Sequence, residues 1–382
     1  MKSDLSNFMQ LNPYSKTREP DLVDLKGMEL EELQSFCEKF GEPNYRGKQL
    51  FNWIYNVDEI SFDRMMNLPT YFRENLMKVA KVGRFVNVEV QTSIDGTEKY
   101  SWVLADSSMI ESVRIPMLHA GNIKRWSICI STQVGCAMGC EFCLTGKMGF
   151  VRQLTSGEIV EQFLAAKRRL GKDERFHNIV FMGMGEPLDN FHEMKKAAKI
   201  LTDPNFEGIS RKRLTVSTVG ISNKIEEFLR TIPDVGLAIS LHASDDFTRS
   251  KLVPVNRKWN LSSLLSICKN LPLKDIKRIT FEYVLLKGVN DSEKDANQLV
   301  KILSGIRSKI NLIPWNQFQG VDFESPDEKN VEKFQNILKK NGFMTTVRKR
   351  KGADISAACG QLADDSILKK DNSEKWPVQD LE

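Results

Sequence analysis

Cys136, Cys140 and Cys143 fall within the eight-residue run Cys136-Ala137-Met138-Gly139-Cys140-Glu141-Phe142-Cys143, a C-x3-C-x2-C spacing. Thiolates this close suit a compact inorganic core, and each can ligate one iron of a [4Fe–4S] cluster. Gly135 and Gly139 let a tight loop wrap around it. No fourth cysteine is near in sequence, so the fourth iron is left open to a bidentate small molecule. The amino and carboxylate groups of S-adenosylmethionine (SAM) fit that vacancy. An electron from the cluster would then cleave the sulfonium C–S bond and leave a 5′-deoxyadenosyl radical. Structural zinc, the alternative, wants four ligands, often as two C-x2-C pairs. No second pair exists, and the four histidines (His119, His177, His192, His242) are not at ligand spacing. Unpaired buried thiols are the remaining reading.

The other cysteines are Cys37, Cys129, Cys268 and Cys359, making seven in all. An odd number in a long chain speaks against a disulfide framework. The chain has 382 residues, 41% of them hydrophobic, enough for one large domain and a smaller one. A net charge of +5 permits a polyanionic partner without arguing for one. The N-terminus lacks the apolar core of a signal peptide, and no apolar run approaches the ~20 residues that span a bilayer. The cytoplasm is the expected location, with no membrane partner.

These residues must be positioned by the surrounding elements. After a polar stretch to about Leu25, residues 30–40, 46–55 and 71–79 read as short helices. Residues 86–90 and 99–104 alternate as strands do, with Asp95-Gly96 as a hairpin turn between them. This predicts a small helical module followed by a strand pair. From about Arg125 strand and helix alternate, with strands at 126–131, 178–181, 214–218, 236–241, 278–285, 310–313 and 344–347. Thr155-Ser156-Gly157-Glu158 is a capping box; the helix after it carries Ile159, Phe163, Ala166 and Leu170 on one stripe and exits at Gly171. Ser325-Pro326-Asp327-Glu328 reads as an N-cap, a first-turn proline and a capping-box glutamate, with Gly342 closing that helix. Helices also follow Asn190, Ser222, Asn260 and Ser292. The alternation predicts a parallel sheet covered by helices, either a partial or complete β/α barrel or an open doubly wound sheet. In each, function sits at the C-terminal ends of the strands. The tail beyond Leu362, with Asp364-Asp365 and residues 369–374, reads as solvated.

Further segments narrow the choice. The run 128–135 before the cluster, Met182-Gly183-Met184-Gly185-Glu186-Pro187-Leu188, Ser217-Thr218-Val219-Gly220, Ser240-Leu241-His242-Ala243 and Ala357-Ala358-Cys359-Gly360-Gln361-Leu362 occur in order through the alternating region. Together they resemble the RlmN/Cfr family of radical-SAM RNA methyltransferases, and the helical module resembles that family's accessory domain. The resemblance implies an α/β fold, a radical-SAM partial (β/α)6 barrel with a small N-terminal helical accessory domain. It divides the chain into an accessory unit at 1–104, a methyltransferase core at 105–362 and a solvated tail at 363–382.

The resemblance also implies roles. Gly185, Glu186, Ser217, Ser240, Leu241, His242 and Asn316 would contact SAM. Read without it, the Gly183–Glu186 segment is as well explained by a tight strand-to-helix turn, His242 by a satisfied histidine behind the site and Asn316 by a loop cap. Cys359, by itself a small buried residue, would be methylated by one SAM. The carbon would then be activated by the radical from a second SAM and added to an adenine carbon. Glu111, otherwise an exposed strand charge, matches the base that removes the ring proton. Cys129 matches the thiol that releases product through a transient disulfide. Cys37 and Cys268 match no catalytic segment and read as packing residues. Among basic runs, Arg348-Lys349-Arg350-Lys351 is placed to hold phosphates beside Cys359, while Lys167-Arg168-Arg169 and Arg211-Lys212-Arg213 are equally well read as solvated faces.

The implied activity is methylation of adenosine C2 in 23S rRNA and in tRNA, 3′ of the anticodon, by a monomer fed by a flavodoxin-type electron donor. The alternatives are Cfr-type C8 methylation, another radical-SAM enzyme, or a non-enzymatic RNA-binding module with a structural metal. The segments at 111–116 and 184–188 favour the RlmN branch; the stretch from Met117 to Lys124 is longer than that branch leads one to expect.

Overall fold

The computed structural model describes residues 22–117, 124–271, 278–318 and 320–363. His119, most of the long stretch after Met117, the polar N-terminus before residue 22 and the tail with Asp364-Asp365 lie outside the described residues. No described helix is long and apolar enough to cross a membrane.

The chain opens with β1 (Val23–Asp24), which pairs in parallel with β2 (Ala80–Lys81) and closes a module of α1 (Leu30–Lys39), α2 (Tyr45–Phe51) and α3 (Thr70–Val79). Helical spacing puts Leu30, Leu33, Phe36 and Cys37 of α1 on the inner side, against Leu50 and Phe51 of α2 and Phe72 and Leu76 of α3. The expected helix over 46–55 is α2 running on into a π-helical turn, Asn52–Val57, which ends where Asp58 turns left-handed at φ 60°. That turn buries Tyr55, whose hydroxyl donates to Met28 O (2.7 Å) and accepts from Gly27 N (2.9 Å).

The main sheet has ten strands. Antiparallel β3 (Asn87–Thr92), β4 (Glu98–Val103) and β5 (Met109–Pro116) lead into β6 (Lys124–Ile130). A small pair, β7 (Gln133–Gly135) and β8 (Phe150–Gln153), flanks the cysteine loop and the one-turn α4 (Leu144–Lys147). Then follow α5 (Ser156–Lys167), β9 (Glu174–Phe181), α6 (Phe191–Leu201), β10 (Leu214–Thr218), α7 (Ser222–Thr231), β11 (Gly236–Ser240), α8 (Asp246–Leu252), α9 (Leu261–Asn270), β12 (Ile279–Leu285), α10 (Glu293–Leu303), β13 (Ser308–Pro314), α11 (Glu328–Lys340) and β14 (Met344–Val347). The order β14-β13-β12-β11-β10-β9-β6-β5-β4-β3, parallel from β6 to β14, is the expected partial barrel of six strand–helix units closed by a seventh strand. The hairpin β3–β4, assigned from sequence to the accessory module, is hydrogen-bonded through β5 to the core sheet; a boundary at residue 104 would cut that sheet.

Side-chain caps set the starts of α5, α8, α9, α10 and α11. Thr155 Oγ1 accepts from Glu158 N (3.2 Å) while Glu158 Oε2 accepts from Thr155 N (2.9 Å). Asn260 and Ser292 cap α9 and α10 with their side chains. α11 departs from expectation. Its cap is Asp327, which accepts from Asn330 N (2.8 Å), two residues beyond Ser325, because Pro326 sits before the helix instead of in its first turn.

α5 is buried on nearly every side, beyond its expected apolar stripe, because the helical module covers the face turned away from the sheet. Gly27 and Gly157 allow that contact: a Cβ on Gly27 would lie 2.4 Å from Gly157 N, and one on Gly157 would lie 2.5 Å from Lys26 O. Beside them, buried Lys26 pairs with buried Glu161, and Glu161 also binds Arg168, which reaches Asp58 of the module. Removing one member strands a buried charge, which costs far more than the intact pair contributes. Glu161→Leu is therefore expected to lower unfolding stability by about 3–5 kcal/mol. The double variant Lys26→Met/Glu161→Leu should recover most of that loss in denaturant titrations; equal losses would show that the pairing is not what matters.

Candidate active site

The C-terminal ends of the barrel strands surround one cleft with about 1210 Å³ of empty volume. Cys136, Cys140 and Cys143 line it from the loop after β6, as expected from their place in the sequence. All three are free thiols, and burial pushes all three up from the usual thiol range. The loop is shaped by Gly135 and Gly139, both with positive φ; a Cβ on Gly135 would strike Gly149 O. Among the described residues no three His, Cys, Asp or Glu side chains converge on a point that would hold a single metal ion. Three thiols sharing one apolar wall with Met138 and Phe142, with no carboxylate among them, fit a polynuclear cluster, in which each thiolate meets a different iron.

Cys359 reaches the same cleft from beyond β14. Its segment is strapped to the cluster loop: Leu144 N donates to Gly360 O (2.8 Å) and Thr145 Oγ1 to Leu362 O (2.6 Å). Asn316 Nδ2 donates to Cys359 O (3.1 Å), and Arg350 Nε donates to Asn316 Oδ1 (2.9 Å). Asn316 thus lines the cleft but spends its amide on the Cys359 backbone. Arg348 extends a guanidinium nitrogen to 3.6 Å from Cys359 Sγ, and the negative potential of the sulfur holds its proton more firmly. Cys129, on β6, faces the same space; burial and the neighbouring Cys359 push its thiol up to about 12.

Glu186 is 2% exposed, and burial raises its carboxyl to about 7. Its Oε2 accepts from Val219 N (2.8 Å) and its Oε1 from Leu188 N (3.0 Å). The glycines before it were expected to make room for a ligand or a tight turn. A Cβ on Gly183 would fall 2.7 Å from the Ile130 carbonyl carbon, and one on Gly185 would fall 2.5 Å from Gln133 Cβ, so the chain itself fills that room. Ser217 and Ser240 end their strands at the cleft. Leu241 does not line it; its side chain is buried behind. His242 does, with φ 60°, its ring edge-on to Phe142 at 4.7 Å. Its Nδ1 accepts from Val284 N (3.1 Å), so the ring proton sits on Nε2, and burial lowers the ring to about 3, leaving it neutral.

Glu111 is buried, where an exposed strand position was the alternative. It does not line the cleft: Lys99 Nζ (3.0 Å) and Ser101 Oγ (3.1 Å) hold Oε1, and Ala363 N (3.0 Å) holds Oε2. Burial raises its carboxyl, with Lys99 opposing. Cys37 and Cys268 are buried away from the cleft, as packing residues should be.

Sequence reasoning missed Arg249, which is fully buried and donates to Leu241 O (3.0 Å), Val219 O (2.6 Å), Ser240 O (3.2 Å) and Asn256 Oδ1 (2.7 Å). It fixes the loops that carry Ser240 and His242, and desolvation lowers it to about 10. The short helix α8 that carries it has too little apolar periodicity to stand out. Glu282, buried and accepting from Asn311 Nδ2 (2.7 Å), also lines the cleft; alternation along β12 was the one signal for it.

Comparison with known proteins fits this geometry. The radical SAM superfamily pattern matches residues 130–300, and the ribosomal RNA large subunit methyltransferase N-terminal domain matches residues 23–82. The dual-specificity RNA methyltransferase RlmN of Geotalea uraniireducens is 44% identical over 340 residues, covering 89% of this chain and 96% of that protein. RlmN 2 of Myxococcus xanthus is 45% identical over 349 residues, covering 90% of this chain and 91% of its own. A crystal structure of a radical SAM methyltransferase from Sphaerobacter thermophilus superposes with a TM-score of 0.81 at 38% identity, covering 89% of this chain and 99% of that one. A [4Fe–4S] cluster and SAM are the cofactors such an enzyme uses, and the chain belongs to the RlmN family of radical-SAM RNA methyltransferases.

Proposed function

We propose that the chain methylates C2 of adenosine in 23S rRNA and in the tRNA position 3′ of the anticodon, and that Cys359 carries the transferred carbon. The observation that carries this reading is the strap that holds Cys359 over the loop of Cys136, Cys140 and Cys143, with Cys129 facing the same cleft. A cluster on those three thiolates, with SAM, supplies one-electron C–S cleavage and a carbon-centred radical.

The chain's own groups do the rest. Glu186, steadied by Val219 and Leu188 N–H groups, accepts the ammonium of SAM, and neutral His242 presents an Nε2–H. The Cys359 thiol gives up its proton as its sulfur takes a methyl group from SAM by displacement, releasing S-adenosylhomocysteine; a guanidinium nitrogen of Arg348 lies 3.6 Å from that sulfur. Once the carbon joins Sγ to the base, a carboxylate must take the ring proton. Glu111 has a raised pKa suited to that task, and the peptide it binds, Ala363 N, belongs to the Cys359 segment. Cys129 then attacks the Cys359 sulfur: an S–S bond forms as the S–C bond breaks, the bonding pair leaves with the carbon, and that carbon takes a proton to become the methyl group of the base. Exchange with an external dithiol reduces the disulfide, and a flavodoxin-type donor serves as reductant for the cluster. The enzyme is read as a cytoplasmic monomer.

Nucleoside mass spectrometry on cells that lack their own enzyme and express this chain should reveal 2-methyladenosine in 23S rRNA and tRNA, absent with Cys359→Ala. 8-Methyladenosine would overturn the assigned carbon; no methyladenosine from cluster-loaded protein would overturn the reading. Cys129→Ala should accumulate a nuclease-sensitive protein–RNA adduct on denaturing gels, and free turnover by that variant would remove Cys129 from its role. Because an ammonium pairs only with ionised Glu186, SAM affinity should fall as pH drops below about 7, approaching about tenfold per unit. Equilibrium binding with Glu186→Gln should be weak and flat over the same range; a wild-type-like slope would exclude this carboxylate.

A further inference from the structure

The three basic runs of the chain have different fates. Arg168 is consumed by Glu161 and Asp58. In the 348–351 run, Arg350 donates to Asn316 and Trp315 O, and Lys351 lies 3.7 Å from Asp95. The run Arg211–Arg213 is exposed, and among the described residues no carboxylate lies within ion-pairing distance of it.

It does not stand alone. Arg213 immediately precedes β10, Arg125 and Arg175 are register partners at the starts of β6 and β9, and all three electrostatically oppose protonation of His177 between them. Neither Arg125 nor Arg175 has an acidic partner among the described residues; the adjacent Glu174 is taken by Arg114 and Lys124. The Nε of Arg125 is buried without a hydrogen-bond partner among the described residues. Arg175 and Arg213 are exposed and Arg125 is half-buried, so this is a positive patch with one guanidinium nitrogen shut away from water, which an anion would complete. Strand alternation places Arg125 on the face of Cys129, which lines the catalytic cleft, with Ser127 between. Arg125 thus sits about 13 Å below the cleft, four residues at about 3.3 Å each, at the opposite mouth of the same half-barrel. Its register partner Arg175 lies at the start of β9, and Arg213 ends the short helical turn that leads into β10.

We propose that Arg125, Arg175 and Arg213 form a phosphodiester-binding site for the RNA backbone, which anchors substrate RNA at the N-terminal ends of β6, β9 and β10 while a base is treated at the other end. The inference rests on RNA being the substrate. Guanidinium groups hold phosphate oxygens bidentately, and neutralising phosphates releases counterions, which makes affinity fall with salt.

The test is binding of full-length, cluster-loaded protein to transcripts of tRNA and a 23S rRNA fragment over a series of salt concentrations. The triple variant R125Q/R175Q/R213Q should reduce the slope of log affinity against log salt by about 2–3 and weaken binding at least about tenfold at physiological salt. The exposed single variant Arg175→Gln, which carries little risk to folding, should reduce the slope by about 1. K329Q/K333Q/K340Q on the exposed face of α11 removes the same charge and should leave the slope unaltered. A wild-type slope in the arginine variants, or an equal loss in the α11 control, overturns the site. Because binding is read without methylation, a wild-type protein that binds RNA but forms no methyladenosine counts against the proposed activity and leaves this test intact.

Discussion

The strap between the cluster loop and the end of the described chain is the constraint on which the site depends. Thr145 and Leu362, 217 residues apart, are joined by a hydrogen bond, and Leu144 is joined to Gly360. Trp315 Nε1 adds a third tie by donating to Phe142 O (3.1 Å). None is strong by itself; a net 0.5–1.5 kcal/mol each is typical. Their importance is geometric. In the proposed reaction Cys359 receives a methyl group and later meets Cys129, so its thiol has to be held in reach of both events. A free segment ending at Cys359 would surrender that proximity. The partial barrel makes the strap feasible, because the segment that follows β14 reaches the loop that follows β6.

The same closure explains the polar wall opposite Cys359. Glu186, Ser217, Ser240 and His242 come from consecutive strand ends, so they share one rim by topology. What turns a rim into a fixed array lies behind it. Arg249 gathers the carbonyls of residues 219, 240 and 241, and Asn290 Nδ2 takes His242 O (2.7 Å) and Val284 O (2.7 Å). His242 can tolerate a left-handed backbone because both its ring and its carbonyl are held.

What was legible in the sequence and what was not divide along physical lines. The cysteine spacing, the capping box at Thr155 and the strands that became β10 and β14 are local statements, and local chemistry decides them. The extension of the core sheet by β3 and β4 is a pairing choice made by a distant strand, β5, and hairpin patterning is silent on it. The glycines at 183 and 185 announced close approach correctly but could not say to what; the answer is the chain's own residues 130–133. Arg249 reads as an ordinary charge and Arg348 as a phosphate contact, because nothing in a sequence distinguishes a solvated arginine from one set against carbonyls or a sulfur. Glu111 was named from a resemblance; its burial, and its bond to the segment of Cys359, needed the fold.

Burial also reconciles a folded chain with an iron-loading site. Three thiolates in an apolar wall would repel one another, and the cost of burying that charge would be borne by the whole domain. Burial instead raises all three thiols beside Met138 and Phe142, which opposes the build-up of uncompensated thiolate charge. Iron must displace three protons to enter, and the thiolate charge then appears together with the cations that neutralise it. The loop that carries the three thiols owes its shape to Gly135 and Gly139, both at positive φ, with Gly135 too close to Gly149 O for any side chain.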